Sequence, residues 1–318
     1  MRIAIGIDIG ATDTKYGILT EAGKILEKYV IPTTQGKDPY KLLQPIADQV
    51  VRIKEQYNGS DYSLSGVGIG FPGPVLKSGY VEKCVNLQLK GFHATEIMKD
   101  LIPGVQVTAG NDANTAALGE LWLGGGMGKQ NAVFVTLGTG VGSGMILNGQ
   151  ILYGNLGLAG EIGHIVVKPD EVEPCNCGKY GCLNQYACAY GIVRETKKKL
   201  ELTTQPSVLR GKGSEVLTAE YIMNAAKDGD GLAYSSVEEC MALLGKCLAD
   251  AVYVVDPEVI IIGGGVSKAG DFILPMIEKT FDRHISLSNG RPPIVIARLG
   301  NDAGIIGAAR MAFLQEKS

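Results

Sequence analysis

The amino-acid sequence predicts an α/β protein built from two related lobes. Two stretches, residues 3–19 and 132–147, share one design: an apolar strand runs into a short turn rich in Gly and Thr, and a second strand returns. Elsewhere, segments with helical spacing alternate with short apolar segments bounded by Gly or Pro. At 318 residues the chain is long for a single core and long enough for two domains.

The composition excludes several classes of function. Hydrophobic residues make up 45% of the chain and charged residues 20%, as in ordinary soluble globular proteins. The net charge is −3 and no long basic run occurs, which argues against binding to a nucleic-acid backbone. No apolar run approaches the roughly 18 residues that span a bilayer, and the N-terminus lacks a signal-peptide layout. We therefore expect a cytoplasmic protein without a nucleic-acid or membrane partner.

The first repeat places a polar turn between two strands. An apolar strand over residues 3–9, which contains Asp8, is followed by Gly10-Ala11-Thr12-Asp13-Thr14 and a strand over residues 15–19. Backbone amides and hydroxyls in such a turn can bind phosphate, and the adjacent carboxylate can hold Mg²⁺ through water. A plain hairpin capped by Asp8 explains the stretch equally well.

A packing helix is predicted over residues 40–57, where apolar residues recur at helical spacing. Residues 67–74 then match the glycine spacing of a dinucleotide-binding turn. We reject that interpretation because Pro72 and Pro74 stand where the helix of such a motif should begin.

A short strand over residues 105–109 leads into Gly110-Asn111-Asp112-Ala113-Asn114 and an Ala-rich helix. In one interpretation Asn111 or Asp112 is simply the N-cap of that helix. In the other, Asp112 projects into a cleft as a general base. The residues alone favour the capping interpretation.

The second repeat consists of a strand over residues 132–137, the turn Gly138-Thr139-Gly140-Val141-Gly142-Ser143-Gly144, and a returning strand. Because it copies the first repeat, we expect each lobe to present a phosphate-type turn to a shared cleft. The chain has no Walker A motif, since residues 124–130 lack both its spacing and its Ser or Thr.

Three cysteines within eight residues, Cys175, Cys177 and Cys182, are separated by glycine-containing turns and can converge on one point. Converging thiolates in a reducing compartment favour zinc over a disulfide, and a closed zinc site needs four ligands. His164, a short loop upstream, is favoured as the fourth ligand over Cys188. Three unligated cysteines in a Gly-rich loop are the alternative.

The rest of the chain alternates again between helices and strands. The predicted helices are residues 187–202, 219–228, 236–254 and about 303–314, and the predicted strands are 259–262 and 294–297. Gly263-Gly264-Gly265 would let a flat ligand such as adenine approach, although a loop before a helix explains it equally well. Gly304, Gly307 and Ala308 predict that the last helix packs closely, against the first lobe.

Taken together, these motifs resemble the ROK family of bacterial sugar kinases, within the actin/hexokinase/Hsp70 superfamily, over essentially the whole chain. The motifs that carry the resemblance are Asp8-Ile9-Gly10-Ala11-Thr12 with Lys15, Asn111-Asp112-Ala113-Asn114, Leu137-Gly138-Thr139-Gly140-Val141-Gly142, Gly160-Glu161-Ile162-Gly163-His164, and Cys175/Cys177/Cys182. The last two in tandem are the most specific. The closest likeness is to the family's ATP-dependent glucokinases.

The resemblance implies a two-lobed actin-like ATPase fold, which is ribonuclease H-like, with an interlobe cleft and a zinc knuckle in the larger lobe. The small lobe would comprise residues 1–112 and the C-terminal helix (about 303–318), and the large lobe residues 113–302. ATP, Mg²⁺, a structural Zn²⁺ and a sugar are the implied ligands, and a homodimer is the implied assembly.

The resemblance also implies roles for individual residues. Asp112 would take the proton from the 6-hydroxyl of the sugar, with glucose as the expected substrate. The implied sugar-binding residues are Asn86, Asn111, Asp112, Glu161, His164 and Asn184. The implied nucleotide-binding residues are Asp8, Gly10, Ala11, Thr12, Lys15, Gly138, Thr139, Gly140, Gly142, Gly263, Gly264 and Gly265. His164 would serve twice, with one nitrogen on zinc and the other on the sugar.

Two positions depart from the family pattern. Ala11 replaces the usual Gly, a small change that we expect to be tolerated. Asn184 replaces a Glu that is usually a sugar ligand, and an amide brings donors while losing the charge. This substitution leaves an N-acetylhexosamine, such as N-acetylmannosamine or N-acetylglucosamine, as an alternative to glucose.

Two further functions compete with catalysis. Sugar-sensing repressors of the family carry an N-terminal helix-turn-helix domain, for which we expect no room before Asp8. A non-catalytic sugar-binding protein is the other alternative, and Asp112 together with both phosphate-type turns argues against it.

Overall fold

A computed structural model describes residues 1–213, 215–286 and 290–315. The strands in these residues are β1 Arg2–Ile9, β2 Asp13–Thr20, β3 Ile25–Pro32, β4 Ser63–Phe71, β5 Tyr80–Cys84, β6 Leu89–His93, β7 Val107–Asn111, β8 Ala132–Leu137, β9 Val141–Leu147, β10 Gln150–Ile151, β11 Val259–Gly263 and β12 Ile294–Ile296. The α-helices are α1 Pro39–Gln56, α2 Ala94–Leu101, α3 Asp112–Leu123, α4 Ala189–Leu202, α5 Ala219–Lys227, α6 Gly231–Val255, α7 Gly270–His284 and α8 Ala303–Gln315.

Contacts between residues divide the chain into two compact units. Unit 1 contains Met1–Ala132, Gly144–Gly160 and the chain from Arg298 onward, and unit 2 contains Val133–Ser143 and Glu161–Ala297. These bounds differ from those of the two lobes that the resemblance implies, and the division at residue 112 stays a prediction.

Unit 1 is built on a mixed sheet in the order β3-β2-β1-β4-β7. Strands β1, β2 and β3 pair antiparallel, whereas β4 pairs parallel with both β1 and β7. Alternate side chains of β1 face opposite sides: Ile3, Ile5 and Ile7 join a core with α1 and α2, while Ala4 packs with α8. This alternation places Asp8 on the side of the sheet that α8 covers.

Helix α8 lies very close to the sheet and to α3, and glycines make this possible. A Cβ on Gly6 would lie 1.8 Å from the carbonyl oxygen of Ile305, and one on Gly68 would lie 1.8 Å from that of Ala308. A Cβ on Gly307 would lie 1.6 Å from the carbonyl oxygen of Thr115 in α3. The prediction that the last helix packs closely against the first lobe is therefore confirmed for unit 1.

The second five-stranded sheet has the order β10-β9-β8-β11-β12, in which β11 and β12 pair parallel. In unit 2, α6 and α7 pack against each other, and a Cβ on Gly245 of α6 would lie 2.3 Å from the carbonyl oxygen of Ile277. None of the described helices combines the length and apolar character that crossing a bilayer requires.

Most predicted elements are present with shifted ends. The helix expected from residue 236 begins at Gly231, because the Asp230 side chain accepts a hydrogen bond from the Ala233 amide and caps it. The strand expected over residues 105–109 extends to Asn111. Helix α8 is described to Gln315, and residues 316–318 of the implied C-terminal helix lie outside the described residues.

Candidate functional site

In unit 1, Asp8 lies near the end of β1, directly opposite Lys15 in the antiparallel register with β2. Burial raises the pKa of the Asp8 carboxyl group, and the positive charge of Lys15 partly offsets that effect by lowering it. The carboxylate lies against the first turn of α8, since a Cβ on Gly304 would be 2.7 Å from Asp8 Oδ2. A helix N-terminus favours a negative charge, so the start of α8, like Lys15, favours the ionised form of Asp8.

Gly10, Ala11 and Thr12 form the turn between β1 and β2. The Gly10 amide donates to the Asp13 carbonyl oxygen at 3.0 Å, and the Thr33 amide donates to the Thr12 carbonyl oxygen at 2.8 Å. Gln35 donates to the carbonyl oxygen of Ala11. The predicted phosphate-binding residues of the first repeat therefore share one hydrogen-bonded turn, with the side chains of Ala11 and Thr12 exposed.

Asn111 and Asp112 divide the two roles that the sequence left open. Asn111 is the N-cap of α3: its Oδ1 accepts from the Asn114 amide at 3.0 Å, and its Nδ2 donates to the Gly73 carbonyl oxygen at 3.0 Å. Asp112 is the first helical residue, half-buried, and its Oδ1 accepts from the Ala113 amide at 2.8 Å. The N-cap of the helix is therefore Asn111.

Three further residues of unit 1 are Asn86, Asn114 and Cys84. Asn86, one of the implied sugar ligands, lies exposed in a short 3₁₀ helix after β5. Asn114 is 4% exposed, and its Oδ1 has no hydrogen-bond partner among the described residues. Burial and the nearby Asp112 carboxylate raise the pKa of Cys84 to about 12, which keeps its thiol protonated near neutral pH.

In unit 2, the glycine turn after β8 and the glycine run after β11 lie together. The Gly138 amide donates to the Gly140 carbonyl oxygen at 3.0 Å and closes the turn. Gly264 has φ +86°, and a Cβ there would lie 2.5 Å from the Leu137 carbonyl carbon. Both sets of predicted nucleotide-binding glycines in this unit are therefore adjacent, and glycine at 264 is required by its conformation and by this close approach.

The segment containing Glu161 and His164 packs on the start of β9. The Ile162 amide donates to Ser143 Oγ at 3.1 Å, and a Cβ on Gly163 would lie 2.4 Å from the Val141 carbonyl oxygen. Burial raises the pKa of Glu161. The segment is thus held directly on the strand that follows the glycine turn.

Four potential metal ligands of unit 2 converge: His164, Cys175, Cys177 and Cys182 lie with their ligand atoms all within 4.8 Å of one another. His164 Nδ1 is 3.9 Å from Cys175 Sγ, and Cys177 Sγ is 3.7 Å from Cys182 Sγ. Zinc bonds of about 2.3 Å to sulfur and about 2.0–2.1 Å to nitrogen separate tetrahedral ligands by about 3.6–3.8 Å. The observed spacings fit such a site.

Cys188, the rival for the fourth position, has another role. Its Sγ accepts from the Gly191 amide at 3.4 Å as the N-cap of α4 and donates to the Asn184 carbonyl oxygen at 3.1 Å. It does not belong to the ligand cluster found in the described residues. The geometry therefore agrees with His164 as the fourth ligand.

Further contacts orient these ligands. Gln185 and Cys182 exchange two hydrogen bonds. The backbone amide of Gln185 donates to the Cys182 sulfur, and Gln185 Oε1 accepts from the backbone amide of Cys182 at 3.1 Å. Lys179 Nζ donates to the His164 carbonyl oxygen at 2.8 Å. Burial, followed by the charge of Lys179, lowers the pKa of His164, which favours the neutral imidazole that binds metal. Burial and the neighbouring thiols raise the pKa of Cys182 to about 12, so metal binding there must release a proton.

A buried ionic network, which the sequence did not predict, supports the loop before the knuckle. Tyr186 donates to Glu171 Oε2 at 2.6 Å, and Arg194 forms an ion pair with the same carboxylate. The Arg194 guanidinium also lies over the Tyr186 ring, 4.9 Å from its centroid. Although burial opposes it, the hydrogen bonds from Tyr186 and the Glu173 amide, together with the charge of Arg194, lower the pKa of Glu171 to about 2.

Asn184 occupies the position at which the family pattern has Glu. It lies between the knuckle of Cys175, Cys177 and Cys182 and the glycine turn after β8. Its Oδ1 accepts from the Val141 amide at 2.8 Å. It also lines a polar cavity of about 320 Å³ together with residues of both features. The cavity is lined by Thr139, Gly140, Pro174, Cys175, Asn176, Asn184, Gln185 and Tyr190.

Comparisons with known proteins agree with this arrangement. The model of the ROK family matches residues 4–315. A glucokinase of Halalkalibacterium halodurans is 40% identical over 321 residues, which cover 100% of this chain and 97% of the relative.

Solved structures extend the likeness to the fold. A ROK family glucokinase from Streptomyces griseus in complex with glucose and AMPPNP matches with 34% identity and a TM-score of 0.74, over 98% of this chain and 99% of that one. A ROK hexokinase from Thermus thermophilus matches with 28% identity and a TM-score of 0.83, over 99% of both chains. The predicted α/β fold class is therefore confirmed, and the chain belongs to the ROK family.

Proposed function

We propose that this protein is an ATP-dependent hexose kinase that phosphorylates the 6-hydroxyl of glucose. The observation that carries the proposal is the end-to-end likeness, at 34% identity, to a glucokinase structure that holds glucose and AMPPNP. The occurrence of Asp112, both glycine turns and the knuckle motif in one sequence agrees with it.

Asp112 is the proposed general base. Asn111 is the N-cap of α3 and Asp112 is its first helical residue. We assign to the Asp112 carboxylate the acceptance of the proton of the attacking hydroxyl. Phosphoryl transfer needs little covalent work from a protein, and catalysis rests on alignment and neutralisation of charge. We assign this alignment to Asp112 at the hydroxyl and to the two glycine turns at the phosphates.

The proposed sugar ligands include Glu161 and His164. In His164 the Nδ1 atom belongs to the ligand cluster, which leaves Nε2 for a sugar hydroxyl. A zinc ion bound by His164, Cys175, Cys177 and Cys182 would have a structural role and would fix the loop that carries these side chains. The contributions of Asn86, Asn111 and Asn184 to sugar binding stay predictions.

On the nucleotide side, we propose that Asp8 binds Mg²⁺ through water beside the turn of residues 10–12. The donor set fits a divalent cation, because a buried carboxylate with a raised pKa gains most from a nearby positive charge. The remaining proposed ATP-binding residues are Lys15, Gly138, Thr139, Gly140, Gly142, Gly263, Gly264 and Gly265.

The second candidate substrate is an N-acetylhexosamine. The amide at position 184, where the family usually has a carboxylate, is the observation that favours it. Cytoplasmic location and a homodimer also stay proposals that the family resemblance supports.

A coupled ADP-release assay with glucose, N-acetylglucosamine and N-acetylmannosamine tests the reaction. We expect glucose to be the best acceptor, and Asp112→Asn to lower kcat by ~10²–10⁴-fold while KM for ATP stays within a few-fold. Asp100→Asn, which neutralises an exposed carboxylate in α2, is the matched control and should keep wild-type kcat. Turnover that survives intact in Asp112→Asn would exclude Asp112 as the base.

A further inference from the structure

One side chain of unit 2, that of Asn184, connects the glycine turn to the metal cluster. Its Oδ1 accepts from the Val141 amide at 2.8 Å, at the end of the turn. Its Nδ2 points at Cys175 Sγ, at 3.9 Å. A single amide group therefore makes contact with the backbone of a predicted phosphate-binding turn and with a predicted metal ligand.

Neighbouring residues hold both the side chain and the backbone of Asn184 in place. A Cβ on Gly140 would lie 2.7 Å from Asn184 Oδ1, so a glycine is needed at 140 for the amide to reach Val141. On the other side, the Asn184 carbonyl oxygen accepts from Cys188 Sγ at 3.1 Å. The Asn184 backbone is thereby tied to the N-cap of α4.

The chemistry of the amide matches both contacts. An asparagine presents an acceptor and a donor on one short side chain. The acceptor suits the Val141 N–H group, and the donor suits a sulfur that becomes a negatively charged thiolate when it binds a metal. A carboxylate at this position would place two acceptors there and repel the thiolate of Cys175.

We propose that Asn184 is a positioning residue that couples metal binding at the cysteine cluster to nucleotide binding at the glycine turn. With the ion bound, the Cys175 thiolate orients Nδ2, and Oδ1 then holds the Val141 amide and the turn in one conformation. The inference rests on the proposed function in one respect, namely that residues 138–142 bind the nucleotide phosphates. Because binding free energies are reciprocal, the nucleotide must strengthen metal binding by the same factor.

The competing interpretation is that Asn184 serves only as a sugar ligand, as the Glu at this position usually does. In that case substitution would change KM for the sugar and leave the link between metal and nucleotide intact. The two roles are therefore separable when no sugar is present.

The test is a zinc competition titration of the full-length protein against a chromogenic chelator, with and without ADP and Mg²⁺ and without sugar. A blank of chelator and ADP corrects for zinc bound by the nucleotide itself. For the wild type we expect ADP to tighten zinc binding by at least ~5-fold, the lower end of typical couplings. For Asn184→Ala we expect less than a ~2-fold effect.

Two further variants control the experiment. Tyr190→Phe removes a hydroxyl from the same cavity and should keep the wild-type effect of ADP. Asn184→Asp keeps the acceptor for Val141 but loses the donor for Cys175, so it should also lose the coupling, and it serves if the alanine variant does not fold.

The outcomes separate the inference from the proposed function. If wild-type protein binds ADP but zinc affinity does not respond, or if both Asn184 variants keep the response, the coupling role is wrong. If the only change is in KM for the sugar, Asn184 is a sugar ligand and the coupling role is again wrong. If the wild type does not bind ADP at all, the proposed nucleotide site is wrong, and the inference falls with it.

Discussion

Asn111 and Asp112 show how two adjacent polar residues at a strand–helix junction acquire different roles. The Asn111 side chain is buried and bonded at both ends, to the Asn114 amide and to the Gly73 carbonyl oxygen. Strand β7 runs through Asn111, and α3 starts at Asp112. A sequence alone indicates that one of the pair caps the helix, but which one depends on where the strand ends.

His164 and Cys188 present a similar choice at the metal cluster. Both lie within a short loop of the three knuckle cysteines in sequence, so spacing does not decide between them. The structure distinguishes them because Cys188 caps α4 with its sulfur, whereas His164 Nδ1 faces Cys175.

Zinc content measures this difference directly. We expect His164→Ala to weaken zinc binding by more than the ~10–100-fold that loss of an outer-shell partner costs. Cys188→Ser, the matched control, should keep one zinc per chain, because Ser also caps a helix N-terminus. Elemental analysis and chelator titration check both variants. Loss of zinc in Cys188→Ser with retention in His164→Ala would reverse the assignment.

At the scale of elements, the sequence predicted the segments with strong apolar patterns and missed several short or irregular ones, among them strands β3, β5 and β6. The apolar strands over residues 3–9 and 259–262 are present as β1 and β11, within one residue at each end. The sequence did not predict α2 or α7. Helix α2 has only eight residues, and α7 contains Pro275, which disfavours a helix unless tertiary packing compensates.

Contacts between elements distant in the chain could not be predicted either. The hydrogen bond from Val141 to Asn184 joins residues 43 positions apart. The network of Glu171, Tyr186 and Arg194 likewise connects the loop before the knuckle to α4. Residue types and spacing carry no signal for such pairs, because they depend on how the elements pack.

The Glu171 network predicts a dependence of stability on pH. The pKa of the Glu171 carboxyl group is about 2 in the folded protein, against an ordinary value of 4.5 for a glutamate side chain. A carboxyl group with a lowered folded pKa stabilises the fold above its unfolded pKa, and this contribution is lost as pH falls through the folded pKa. Stability from Glu171 should therefore be full above about pH 4.5 and decline towards about pH 2.

Urea unfolding of wild type and Glu171→Gln at several pH values checks this. At pH 7 we expect Glu171→Gln to lower the free energy of unfolding by ~1–3 kcal/mol, and we expect the gap to shrink as pH falls from 5 to 3. Glu82→Gln, at an exposed position in β5, should show no comparable gap. A gap that stays constant or widens on acidification would contradict the assignment.

At the scale of the whole molecule, the strand–turn–strand repeat was the most informative pattern. Both copies exist: β1 and β2 flank the turn of residues 10–12, and β8 and β9 flank the turn of residues 138–140. The family match over residues 4–315 extends the agreement to nearly the full chain. For the sugar, the family resemblance predicts glucose, and it leaves an N-acetylhexosamine as an alternative because Asn184 departs from the family pattern.

The central claim is that this chain transfers the terminal phosphate of ATP to the 6-hydroxyl of glucose. The most direct measurement is ³¹P and ¹³C NMR of the products formed by purified protein with glucose, ATP and Mg²⁺. The account predicts glucose 6-phosphate and ADP in equal amounts. ADP formed without any sugar phosphate, or a phosphate attached to a different carbon of glucose, would contradict it.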